Sequence, residues 1–233
     1  MVQDVQVAKI VEKQMRNWEI ARQQMPRSVP DAAEPRVAPF VTVSREVGCG
    51  GSDVAVRLAE RLGWPCFDKE ILQHMSGDDR VRTRLYEKMD VHDTNWLESV
   101  LRTLLQGDYR KEDYFQALSQ TVLALVRQGP GVFIGRGIDF LLPQDRGLRV
   151  RFYAPYEQRV AAYAELHHCG KDVAQAAMAR EEHEREELFA LHFGHPKAKA
   201  TRFDLLINLG RVAADDAVEI IMTALHRRGI VAE

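Results

Sequence analysis

FVTVSREVGCGGSDVAVRLAERLG, residues 40 to 63, reads as a strand, a turn and a helix in immediate succession. Phe40 to Ser44 is a short apolar, β-branched run, and Val54 to Leu62 has helical periodicity with Ala, Arg and Glu between its apolar positions. The glycine-rich turn from Ser44 to Asp53 therefore lies where a phosphate-binding loop must lie, between a strand and the helix it feeds. Glycine lets the backbone wrap closely round an anion, while successive N–H groups and the positive end of the helix dipole favour the negative charge. Ser44, Gly48, Gly50, Gly51 and Ser52 are the candidate phosphate-binding residues. The full pattern G-x-x-x-x-G-K-[ST] adds a lysine for the β and γ phosphates and a hydroxyl for magnesium. With Gly50 as its last glycine, Gly51 falls on the lysine position, and Ser52 or Asp53 is left near the metal. A turn of this composition also serves as a purely structural one, since glycine answers any demand for positive φ.

Outward from that segment the pattern of strand and helix repeats. Trp64 to Phe67 leads into Asp68 and a helical stretch from Lys69 to Met75. Arg80 to Gln128 reads as several helices, Gly131 to Ile134 and Leu148 to Tyr153 as further strands, and Phe203 to Leu209 as another before a helix from Asp215 to Arg227. Such alternation predicts an α/β fold, a parallel sheet flanked by helices. Residues 3 to 24 space Val5, Ile10, Val11, Met15, Trp18 and Ile20 as an extra N-terminal amphipathic helix, followed by a proline-rich linker. The division is thus 1–37 for helix and linker and 38–233 for the main domain. The helix's apolar stripe needs cover, either from its own domain or from a second subunit in a homo-oligomer.

The chain's 233 residues carry 32 Lys and Arg against 34 Asp and Glu, a net charge of -2, so no broad positive field gathers nucleic acid or an anionic membrane. Any anion site must be local. No apolar run reaches the length of a membrane-spanning helix, no secretory signal is visible, and Cys49, Cys66 and Cys169 show no C-x-x-C spacing, all of which points to the cytoplasm. His183, His192 and His195 lack the accompanying carboxylate or Cys spacing of a zinc site and read as solvated helix residues.

Five phrases carry a family resemblance. They are VTVSREVGCGGSDVAVRLAERLGWPCFDKEIL, the N-terminal helix with Trp18, VFIGRGIDFLLP, VRFYAPYEQRV and RFDLLINLGRVAADDAVEII. In that order they resemble the cytidylate-kinase-like family over nearly the whole chain. The resemblance implies a P-loop kinase fold of the nucleoside monophosphate kinase type, with ATP as donor, Mg2+, and a mobile basic lid at about residues 180–202. It implies that Arg136 holds the acceptor monophosphate, that Asp68 lies near the acceptor nucleotide or a magnesium-bound water, and that Arg159 and Arg185 move onto the donor phosphates. Each has a plainer alternative: a salt bridge for Arg136, a helix cap for Asp68, a charged face for the other two.

Two departures matter. Ala190-Leu191 stands before His192-Phe193-Gly194 where a basic pair is common in the family, and the acidic stretch that usually follows is replaced by His195-Pro-Lys-Ala-Lys199. With the loop lysine also absent, catalysis relies on Arg45, is slow, or is lost. The expected function is phosphoryl transfer from ATP to CMP or a related pyrimidine monophosphate. The alternatives are a catalytically weak or inactive nucleotide-binding regulator of the same fold and an interaction protein working through its N-terminal helix.

Overall fold

In a computed structural model of the chain, strand β1 (Phe40–Arg45) occupies the centre of a five-stranded sheet. The structure describes residues 2–24, 37–87, 89, 94–95, 97–100, 113–143, 147–193 and 200–232. Around β1 lie β2 (Cys66–Phe67), β3 (Gly131–Ile134), β4 (Gly147–Tyr153) and β5 (Leu205–Asn208), in the order β2-β3-β1-β4-β5 with every pairing parallel. All five sequence-predicted strands are present. The second is cut to two residues, where Pro65 offers no N–H and Trp64 N–H turns back to the Ala59 carbonyl at 2.9 Å.

Side-chain alternation along β1 sends its residues to two different cores. Val41 and Val43, with Val132, Val150 and Phe152, meet helix α2 (Gly51–Leu62) and the last helix, α9 (Ala214–Arg227). Phe40, with Phe67 and Phe133, meets α1 (Val2–Gln24), α3 (Lys69–Gly77) and α5 (Asp113–Gln128) on the opposite face; α4 (Asp79–Tyr86) adds Leu85 there. A sheet buried on both faces explains why its strands read as continuous apolar runs. Phe40, Phe67, Phe133 and Phe152 are each fully buried. Each contributes roughly 1.5–3 kcal/mol, against about 0–1 kcal/mol for an exposed ion pair such as Arg16–Glu12. The two apolar layers, not the surface charges, hold the sheet in place.

Part of the amphipathic stripe of α1 is covered within the chain, while Ile10 and Ile20 stay exposed. Val11, Met15 and Ala21 are buried, the first two in the same cluster as Ile71, Leu72 and Met75 of α3. Between β3 and β5 come α6 (Ile138–Leu141), α7 (Tyr156–Leu166) and α8 (Lys171–Phe193), followed by a 3-10 turn at Ala200–Arg202. The expected lid segment begins near the middle of α8; His195, Lys197 and Lys199 lie outside the described residues. His183 is exposed on that helix and pairs with Glu187 at 3.3 Å.

Candidate functional site

Parallel strands bring their carboxyl ends to one edge of the sheet, where ligands of open α/β folds bind. Here that edge collects Ser44 and Arg45 from β1, Asp68 beyond β2, and Gly135 and Arg136 beyond β3. Together with Ser52 of α2 and Arg185 of α8 they line a cleft of about 880 Å3. Its remaining walls come from α1 through Ile10 and Gln14, from α3 through Lys69, Glu70 and Ile71, and from α8 through Glu181, Glu184 and Phe189.

The loop has the backbone its glycines imply. Gly48 and Gly50 adopt φ of 77° and 80°, in the left-handed region that side chains avoid. A Cβ on Gly48 would also lie 2.6 Å from the Arg159 carbonyl oxygen. Gly50 caps α2 without any side-chain hydrogen bond, its carbonyl taking Asp53 N–H at 3.1 Å and Val54 N–H at 3.4 Å. The helix thus opens on backbone amides, the arrangement that favours an anion.

Gly51 explains the missing lysine. A Cβ there would stand 2.8 Å from the Phe152 ring and 2.9 Å from the Arg45 Cβ, so no side chain fits. The space is held instead by Arg45, whose Nε donates to Ser52 Oγ at 3.1 Å and whose guanidinium lies over Gly135. Burial, and secondarily the like charge of Arg185, lower Arg45 from its ordinary value to about 10. It remains a cation at neutral pH, and the nearby Asp68 and Glu181 act on it only through space, without a hydrogen bond. Cys49 sits in the same loop as a neutral thiol, pushed up mainly by burial.

Arg136 holds φ 56° at the exit of β3, a conformation uncommon for a residue with a side chain. Among the described residues it makes no ion pair and its buried Nε has no hydrogen-bond partner; its Nη2 donates to Gln73 Oε1 at 3.3 Å and its guanidinium lies 5.7 Å from the Tyr114 ring centre. Arg185 donates to the Arg45 carbonyl at 3.2 Å and lies 3.5 Å from Glu181. Asp68 caps α3, its Oδ1 accepting from Glu70 N–H at 3.0 Å and Ile71 N–H at 2.9 Å, which leaves Oδ2 free. The cap and the cleft-lining role coexist. Ser44 lines the cleft while its hydroxyl accepts from Arg151 at 3.2 Å.

Arg159 stands apart from this group. It is buried behind the loop, donating to the Val47 carbonyl at 3.1 Å, with Glu182 at 2.7 Å and Glu46 at 3.3 Å. Val47 itself packs on Val160, Ala174 and Met178 of α7 and α8. Arg159 is spent on bracing the loop from the rear. Sequence reasoning missed Gln14, Gln73 and Tyr114, polar side chains on helices whose patterns disclose a buried face without disclosing what it meets.

Fold and site together define a nucleotide-kinase-like protein of the P-loop type. Residues 40–211, well over half of the chain, match the cytidylate kinase-like family, and the chain belongs to that family. Among solved structures, an uncharacterized protein from Eubacterium ventriosum is 16% identical, covering 80% of this chain and 97% of its own, at a TM-score of 0.56. Shikimate kinase from Bacteroides thetaiotaomicron is 10% identical over 84% of this chain and all of its own, at 0.41. Dephospho-CoA kinase from Campylobacter jejuni is 12% identical over 81% of this chain and 96% of its own, at 0.33. Of these three only the first exceeds a TM-score of 0.5, and at 16% identity its likeness concerns fold alone. No match was found among curated proteins. No helix among the described residues is long and apolar enough to cross a membrane.

Proposed function

We propose that this protein transfers the γ-phosphoryl group of ATP to CMP or a related pyrimidine nucleoside monophosphate. The observation that carries the proposal is Arg45: a half-buried guanidinium without a bonded carboxylate, facing the cleft between a glycine loop and the exit of β3. An unpaired, partly desolvated cation of that kind is stabilised by an incoming polyanion, and phosphoryl transfer requires charge cancellation around the moving group. The loop amides and Arg45 hold the β and γ phosphates, Arg45 standing in for the lysine that Gly51 has no room to carry. Arg136 presents a planar fork to the acceptor phosphate, and Arg185 supplies positive charge from α8. An oxygen of the acceptor phosphate attacks the γ-phosphorus as the bond to the oxygen bridging it to the β-phosphorus breaks, so ADP leaves and a nucleoside diphosphate forms. The Ser52 hydroxyl and the free Oδ2 of Asp68 are oxygen donors suited to Mg2+, which takes most of its shell from water and phosphate. That ion would neutralise charge on the transferring phosphates. Three free thiols accord with a cytoplasmic setting.

Coupled ADP-release assays with CMP, dCMP, UMP and AMP test the proposal. Stimulation by a pyrimidine monophosphate supports it; no stimulation by any of the four at high enzyme concentration refutes it. A second reading, nucleotide binding without turnover, is favoured by the closed lysine position at Gly51 and would show in calorimetry as ATP affinity in an enzyme that releases no ADP.

A further inference from the structure

Helix α1 lies before the stretch matched by the family, yet it forms a wall of the cleft. Its placement is fixed from both sides. Val11 and Met15 are buried with the α3 side chains, and Gln14 Oε1 accepts the Cys66 backbone N–H at 3.0 Å at the start of β2. A backbone N–H only donates, so this bond dictates which end of the carboxamide is oxygen. The Gln14 NH2 group must point away from Cys66, and Gln14 lines the cleft. One turn away on the helix, Ile10 is 43% exposed and lines the same cleft, an apolar surface against which a flat ring can rest.

We infer that α1 is part of the acceptor site and that Gln14 reads the acceptor's base, donating from its NH2 group to a ring nitrogen or carbonyl oxygen of a pyrimidine. The inference rests on the monophosphate-kinase reading and extends it to a specificity residue. The carboxamide is held by the β2 backbone, so it meets the base preorganised, with little rotamer freedom left to lose. Ile10 supplies the apolar contact, while the phosphate of the same ligand reaches Arg136 across the cleft.

Gln14→Glu separates recognition from structure. A carboxylate oxygen still accepts the Cys66 N–H, while the NH2 donor becomes a second acceptor. With the full chain, calorimetric titration of CMP is expected to weaken by roughly tenfold in Gln14→Glu, while ribose 5-phosphate, which has no base, binds as it does to the wild type. Undiminished CMP binding overturns the inference, and so does an equal loss for both ligands, which is the mark of general charge repulsion. Wild-type protein supplies the second test, needing no folded variant: the Gln14 side-chain amide resonance, identified by selective labelling, shifts with CMP and not with ribose 5-phosphate. A resonance unmoved by saturating CMP overturns the inference. If the wild type binds CMP yet releases no ADP with it, the phosphotransfer reading fails while base recognition by Gln14 stands.

Discussion

Arg45 and Arg159 flank the same glycine loop, Arg45 half-buried at the cleft with no bonded carboxylate and Arg159 buried behind the loop with two. Behind the loop the chain has satisfied its charges: Glu46 and Glu182 take the Arg159 guanidinium, and Val47 is sealed against α7 and α8. In front, Arg45 has one neutral hydroxyl as a side-chain partner and a second arginine, Arg185, reaching its backbone. A chain folding for stability alone gains nothing from a half-buried cation so poorly matched, because partial desolvation without a partner opposes the charged form. The back of the loop is built to stay and the front is built to receive.

The largest effect is expected where the front is broken. Arg45→Met should lower turnover by about a thousandfold or more with no loss of melting temperature, since it removes an unsatisfied charge; near-normal turnover in that variant would place phosphate binding on the backbone alone. Breaking the back should do the opposite. Arg159→Met leaves Glu46 and Glu182 facing each other and should destabilise the fold by about 2–3 kcal/mol, below the range for fully buried pairs because both carboxylates remain partly hydrated. Denaturant unfolding measures it, and a variant of unchanged stability would show that Val47 packing suffices.

A smaller effect sharpens the picture at the cleft wall. Burial, aided by Asp68, pushes the Cys66 thiol up to about 12, above its unfolded value of 9.0. The group's contribution to stability is therefore complete below pH 9 and is lost as pH rises toward 12. Wild type should lose stability across that interval faster than Cys66→Ala, and parallel unfolding curves would contradict the buried thiol.

The front of the loop was legible because its demands are local. A short apolar, β-branched run before the turn and helical spacing after Ser52 fix the strand, turn and helix, and glycine suits the positive φ at 48 and 50. Asp68 as a cap was legible for the same reason, two amides lying within three residues of its carboxylate. Resemblance added Arg136 and Arg185, both of which reach the cleft. The bracing contacts of Arg159 were not legible because its partners, Glu46 and Glu182, lie far from it in sequence and nothing in its own helix marks it as buried. Gln14 was invisible for a related reason: periodicity shows that α1 has an apolar face, and only the tertiary fold shows that a polar residue beside that face meets the β2 backbone.

The most direct measurement is a crystal structure of the protein with ATP or a non-hydrolysable analogue. Backbone amides between Gly48 and Ser52 and the Arg45 guanidinium should close on one and the same phosphate group, with Arg159 still bonded to Glu46 and Glu182. A triphosphate bound elsewhere, or one seated on the loop with Arg45 turned away, would contradict the account.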